Sequence, residues 1–226
     1  MSRILITGSS NGLGRALTKE LAWYGHDIIE YDIVNGLDVR FPPEEFIDSI
    51  GSLDVLINNA GVNIIDWLQN FKESDWNHVM DTNAKGIFMM TKACLPMLIE
   101  SKGTVLNIVS NAAHMPMTCS LAYNASKGAA HIMTLQLARE LTKEHGITVF
   151  GVAPNKLKDT GMSADIDRQV VKTRGWTREF AMAYQLQGLL TKEETPPAAV
   201  AKFICYLLQD KEHHKYLTGT VIPYGA

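Results

Sequence analysis

Six short runs rich in apolar residues recur along the chain, with helical patterns between them. They are "RILIT" (3–7), "DIIEY" (27–31), "DVLIN" (54–58), "TVLNIV" (104–109), "ITVFGV" (147–152) and "GTVIPY" (219–224). They lack the regular polar alternation of a half-exposed strand, which predicts strands buried on both faces, and such strands belong to a parallel sheet covered by helices. The intervening stretches near 12–24, 43–50, 75–101, 121–145 and 196–209 carry helical patterns. Strand and helix in alternation predict an α/β fold, a doubly wound Rossmann-type sheet with helices on both faces. One link is short. Only five residues separate Asp32 from Asp38, against about ten or more for a helical crossover, so a stunted strand or a bare loop is expected there. Residues 155–190 read as irregular. In a single domain spanning 1–226, an insertion of this length is expected to be a substrate-binding lid.

The chain's 226 residues, 46% of them hydrophobic, suffice for one sizeable core. A net charge of −3, a pI of about 6.2 and the lack of a basic run argue against nucleic acid or an anionic membrane as the main partner. "MSRILITGSSNG" reaches Gly8 after three consecutive apolar residues, and no run approaches the roughly 18 of a membrane span. The expectation is neither leader nor anchor. Cys94, Cys119 and Cys205 have no CxxC spacing and are expected to be reduced structural thiols of a cytoplasmic protein. His213 and His214 are expected in an exposed loop, and no metal site is expected.

"LITGSSNGLGRAL" (5–17) places Gly8, Gly12 and Gly14 between a strand and a helix. Glycines there let backbone approach a pyrophosphate, and the helix start adds free N–H groups and a positive dipole end. Asp32 follows Gly14 by 18 residues at the end of the second strand, a spacing suited to a carboxylate on a ribose diol. A 2′-phosphate would face like charge. The expected cofactor is therefore NAD rather than NADP, with Arg15 pointing to solvent.

These residues add up to a family resemblance. "TGSSNGLG" (7–14), "NNAG" (58–61), "NAKG" (83–86), "NIVS" (107–110) and "YNASK" (123–127) occur in the order found in short-chain dehydrogenases/reductases of the classical type. Ser110 precedes Tyr123 by 13 residues, a common spacing in that family. The match runs from residue 3 to about 154 and resumes at "LTGTVIP" (217–223). The resemblance implies catalytic roles for Asn83, Ser110, Tyr123 and Lys127. It implies cofactor contacts from Gly8, Ser10, Asn11, Gly12, Leu13, Gly14, Asp32, Asn59, Ala60, Gly61, Tyr123, Lys127 and Pro154. It further implies an adenine pocket at Asp38 and Val39, Thr160 against the nicotinamide amide, and pairing of helices 75–101 and 121–145 into a homodimer or homotetramer. Two departures stand out. Asn155 follows Pro154 where the family usually has Gly, and "NKLKDTG" is one residue longer before Thr160.

Tyr123 and Lys127 face one side of a helix, about 5–6 Å apart at Cβ. An ammonium at about 5 Å, with an effective dielectric near 20, is expected to favour phenolate by roughly 3 kcal/mol, about two pKa units. The pair then serves a general acid/base, with Ser110 holding the substrate oxygen and, by resemblance, Asn83 organising a water-linked proton path and Lys127 holding ribose hydroxyls. The reading is an oxidoreductase that interconverts a small-molecule secondary alcohol and a ketone. A cofactor-binding sensor is disfavoured by the complete Ser–Tyr–Lys set. A sugar-nucleotide epimerase is disfavoured by the missing C-terminal substrate domain. Six Lys/Arg against four Asp/Glu over 155–180, with Trp176, Phe180 and Met162, hint at an amphipathic or anionic substrate.

Overall fold

The structure, a computed structural model, describes residues 1–225. Six parallel strands form one sheet in the order β2-β1-β3-β4-β5-β6. They are β1 (Arg3–Thr7), β2 (Asp27–Tyr31), β3 (Val55–Asn58), β4 (Thr104–Ile108), β5 (Thr148–Pro154) and β6 (Val221–Tyr224). The fold is the expected Rossmann-like α/β arrangement, and each strand falls on its apolar run. No strand forms between Asp32 and Asp38. A 3-10 turn over Ile33–Asn35 and a loop lead to the short helix α2 (Glu44–Ser49) and then to β3. The chain between Asp32 and Asp38 is too short to cross over the sheet.

Helices α1 (Gly12–Trp23) and α9 (Pro197–Gln209) cover one face, where Leu17, Leu21, Val200 and Ile204 pack on Ile6, Ile57 and Phe150. The other face receives α4 (Gly86–Ser101) and the end of a long helix that begins as α5 (Leu121–Leu137). Met90, Cys94 and Leu98 of α4 pack there on Leu5, Leu56 and Val105. Helix α3 (Glu73–Met80) runs into α4 through a π turn at Asp81–Lys85. A second π turn at Ala138–Thr142 joins α5 to α6 (Lys143–His145). A π turn inserts one residue into the ladder and re-aims the side chains around it.

A buried polar chain ties these helices to the sheet. Asn58 Nδ2 donates to Asn107 Oδ1 (2.9 Å) and to Thr91 Oγ1 of α4 (3.2 Å). Asn107 Nδ2 donates to Thr134 Oγ1 of α5 (2.9 Å). Satisfied groups of this kind fix register, because any slip leaves a buried donor unpaired.

Two expectations are corrected here. Residues 155–190 are mostly helical, forming α7 (Gly161–Arg174) and α8 (Arg178–Gln187). His213 and His214 lie on α10 (Lys211–His214) rather than in a loop. His214 is buried, with Nε2 3.1 Å from Thr104 Oγ1, while His213 is exposed. No helix among the described residues is long and apolar enough to cross a membrane.

The tightest point is the first βα turn. A β-carbon on Gly14 would stand 1.9 Å from the Gly8 carbonyl oxygen. Backbone cannot yield as a side chain does, so Gly14→Ala should destabilise the fold by about 3 kcal/mol. Gly188→Ala is the control. Its nearest contact would be 3.7 Å away and its φ is −73°, so its effect should stay within about 0.5 kcal/mol. Urea midpoints of the two variants check the contrast.

Candidate active site

The exits of β1 and β3 are knitted together. Thr7 Oγ1 accepts from Asn59 N (2.9 Å) and Ala60 N (3.0 Å). Asn59 Nδ2 donates back to the Thr7 and Gly8 carbonyls (2.8 and 3.1 Å). Gly8 has φ +66°, and a β-carbon on it would stand 2.9 Å from Ala60 Cα. Gly12, at φ +50°, opens α1 with Asn11 Oδ1 accepting from its N–H (2.6 Å). Leu13 is buried in the core, so only its backbone is available to a ligand, whereas Arg15 is exposed. Ser9 Oγ is buried without a hydrogen-bond partner. A glycine-built cradle at a helix start, with an orphaned hydroxyl inside it, fits a bound phosphate group.

Asp32 is buried beside this cradle. Its Oδ2 accepts from Ser10 N (2.9 Å) and its Oδ1 from Val34 N (3.1 Å). The carboxylate therefore braces the glycine turn, with further lone pairs left for a diol. Asp38 is less available. Arg40 grips both of its oxygens at 2.6–3.0 Å and holds the carboxyl below its ordinary range. Val39 is buried, and a β-carbon on Gly86 would meet its Cγ2 at 2.8 Å. Thr160 caps α7 through Ser163 N (3.0 Å), and a β-carbon on Gly12 would lie 3.4 Å from its side chain. The extra residue in "NKLKDTG" has thus not carried Thr160 away from the cradle. Pro154 ends β5, and Asn155 Nδ2 donates to the Gly225 carbonyl (2.5 Å), tying down the C-terminal segment.

Tyr123 and Lys127 occupy successive turns of α5, with Lys127 Nζ 5.8 Å from the centre of the phenol ring. Nζ is buried and donates to the Ile108 carbonyl (2.8 Å). Burial lowers the lysine from 10.5 to about 8. The tyrosine departs from the sequence expectation. Burial raises its proton affinity, and a hydrogen bond from Ser110 only partly opposes this. Desolvation of the phenolate outweighs the field of the ammonium. Ser110 also caps the 3-10 turn Asn111–Ala113, its Oγ accepting from Ala112 N (3.1 Å).

Asn83 lies in the π turn and is fully buried. Its Oδ1 accepts from Val62 N (2.8 Å), while Nδ2 donates to the Val62 carbonyl and to Ser126 Oγ (both 2.9 Å). The side chain is fully engaged in protein contacts, so it braces the segment after "NNAG" against α5. A β-carbon on Gly61 would stand 3.4 Å from Asn83 Oδ1 and 3.8 Å from Lys127 Nζ. The structure thus brings Gly61, Asn83 and Lys127 to one place.

Three of the six cations in 155–180, Lys156, Arg168 and Arg174, have partners within the protein. Lys156 pairs with Asp167 (2.7 Å) and Glu194 (2.8 Å), and Arg168 pairs with Asp165. Arg174 donates to the Thr118 carbonyl (2.6 Å) and lies over Trp176 and Tyr184. Helix α7 is fastened to the loops beside the site, because Gln169 accepts from Ile65 N (2.8 Å) and Trp67 Nε1 donates to the Thr173 carbonyl (3.1 Å). Cys119 packs in a small cluster with Ile65, Val170 and Ala181. His114 is exposed and meets His131 edge to face at 4.4 Å. Among the described residues, no group of three or more His, Cys, Asp or Glu is placed to hold a metal. Sequence reading missed Arg174, Ser126 and Asn124. The last two stand inside "YNASK", and only their long-range partners mark them.

Residues 28–170 match the family model of the short chain dehydrogenases. The chain is 28% identical over 249 residues to a 3-oxoacyl-[acyl-carrier-protein] reductase FabG of Staphylococcus epidermidis, covering 96% of this chain and 95% of the relative. It is 29% identical to a sorbitol-6-phosphate 2-dehydrogenase of Klebsiella pneumoniae, with 96% and 91% covered. A crystal structure of a short chain dehydrogenase family protein from Francisella tularensis superposes with a TM-score of 0.85 at 25% identity, covering 99% of this chain and 96% of that one. By its family match, its fold and its length of coverage this chain belongs to the short-chain dehydrogenases, oxidoreductases that work with a nicotinamide cofactor.

Proposed function

We propose that this protein interconverts a small-molecule secondary alcohol and its ketone, with Tyr123 as the general acid/base. The observation carrying this reading is Tyr123 one helical turn from the buried Lys127, whose Nζ lies 5.8 Å from the phenol ring, with the Ser110 hydroxyl acting on the phenol. A bound nicotinamide supplies or accepts the hydride. Gly8, Ser10, Asn11, Gly12, Leu13 and Gly14 hold its phosphates, largely through backbone. Asn59, Ala60, Gly61, Pro154 and Thr160 line the cleft, and Lys127 reaches toward the ribose. Ser110 orients the substrate oxygen, where charge changes most. Asn83 acts by bracing rather than by direct contact. The chain works as one domain, 1–226, with α7 and α8 as a substrate lid. Screening ketones with NADH and alcohols with NAD⁺ tests the activity and identifies the substrate.

The pair's chemistry has a direction. Tyr123, half-buried with its proton affinity raised by desolvation, keeps its proton through neutral pH and is set as an acid for ketone reduction. Tyr123→Phe should lower turnover by about two to four orders of magnitude and leave NADH affinity nearly unchanged. Retained turnover would remove the tyrosine from the reaction. Lys127 bears its charge only below about 8, so kcat/KM for reduction should fall as pH rises through that value. A level profile would contradict this. The folded lysine binds its proton less tightly than the unfolded one, so stability should rise with pH from about 8 toward 10.5. At pH 7 the penalty of burying the ammonium is present in full. Lys127→Met should therefore raise stability at pH 7 by about 2 kcal/mol after its lost hydrogen bond, while abolishing turnover. Denaturant melts and kinetics on one preparation check both halves.

The Asp32 carboxylate favours NAD(H) by accepting from a ribose diol and repelling a 2′-phosphate. NAD(H) should bind at least about tenfold more tightly than NADP(H), a difference of about 1.4 kcal/mol. Asp32→Ala should narrow the gap, and a titration of the unmodified protein that favours NADP(H) would overturn the assignment. Association into a homodimer or homotetramer is proposed on the exposed apolar residues Phe88 and Ile99 of α4 and Leu121 and Ile132 of α5. Light scattering should give a multiple of 25.0 kDa, and the monomer mass at micromolar concentration would refute it.

A further inference from the structure

We infer that Asn124 is a positioning residue that holds Ser110 against Tyr123, an inference resting on the acid/base reading of that pair. The loop leaving β4 begins at Ser110 and returns to α5 at Leu121. Its middle, His114–Thr118, is exposed. A segment with so little buried surface depends on hydrogen bonds for its shape. Asn124 makes three. Its Nδ2 donates to the Ala112 carbonyl (2.6 Å) and to the Met115 carbonyl (2.8 Å), and its Oδ1 accepts from Met117 N (3.2 Å).

The Ala112 contact closes a circuit. Ala112 N–H donates to Ser110 Oγ, while its carbonyl is gripped by Asn124. Its backbone is thus a strut between the serine hydroxyl and the residue next to Tyr123. Ser110 in turn acts on Tyr123, where its hydroxyl opposes the phenol's raised proton affinity. Both amide hydrogens of Asn124 are used, so none is left over for substrate. Its role runs through Ser110. Other ties hold the loop elsewhere: the His114–His131 contact on the α5 side and the Arg174 hydrogen bond to Thr118 on the α7 side. None of them reaches Ala112.

Two neutral variants separate positioning from plain bracing: Asn124→Ala, and Asn124→Leu, which keeps the branched shape without the polar atoms. Each should lower kcat about ten- to a hundredfold, the scale of a misplaced catalytic geometry, with NADH affinity by fluorescence titration within about twofold of the parent. The inflection for alcohol oxidation should also move to higher pH, because a weakened bond from Ser110 leaves the phenol holding its proton more tightly. The titratable groups joined to this region, Lys127, His114 and His131, are unchanged in both variants. Hydrogen exchange at the Met117 amide should accelerate. A variant that loses only melting temperature, with kcat and inflection unmoved, overturns the inference. Exchange at Met117 does not depend on turnover, so it separates the two readings. If Tyr123→Phe stays active, the acid/base reading fails; if Met117 stays protected in Asn124→Ala, the positioning role fails.

Discussion

A carbonyl oxygen of Gly8 stands where Gly14 would need a β-carbon, and the rest of the cofactor end is arranged around that contact. It brings the start of α1 down onto the exit of β1, which no residue with a side chain permits. The same closeness brings Ala60 against Gly8, and Asn59 and Thr7 stitch the two strand exits with four hydrogen bonds. Asp32 adds a fifth tie from β2 through Ser10. Three adjacent strands therefore converge on one turn. Its backbone is set by the fold before any ligand arrives, which is the preorganisation a phosphate site needs.

The other half of the site hangs from α5, and α5 is held by polar groups as much as by apolar ones. Asn58, Asn107 and Thr134 run from β3 through β4 into the helix, all buried. Two turns earlier, Lys127 anchors to the Ile108 carbonyl at the end of β4. Ser110, two residues beyond Ile108, is thereby fixed relative to the same helix. An apolar interface tolerates sliding by small steps, but a chain of satisfied buried amides does not. The separation of Ser110 from Tyr123 is thus set by how β4 and α5 are bolted together, with Asn124 trimming the loop between them.

What was legible in the sequence was local. The apolar runs gave all six strands because a buried parallel strand needs little beyond its own composition. The glycines marked the cradle because positive φ and close approach are local requirements. Helices α7 and α8 were illegible because they bury few of their own side chains, chiefly Ser163, Val170 and Ala181, and so carry little apolar period. His214 was misplaced because its partner, Thr104, is 110 residues away. Asn83 was assigned through its motif, yet its three contacts reach Val62 and Ser126, which no spacing announces.

The Tyr123–Lys127 pair shows where local reasoning reverses sign. Treated as two charges on a solvated helix, the ammonium should draw the phenol's proton off. Inside the protein both groups have lost water, and desolvation favours the neutral form of each: the tyrosine holds its proton, the lysine gives its proton up more readily. The same burial that suppresses charge also removes the solvent that would screen it, so a charge brought beside the pair shifts both groups more than it would in water. The proton affinities of the resting site are therefore not those of the working site. They follow chiefly from desolvation, and each neighbouring charge moves them in the direction its sign dictates.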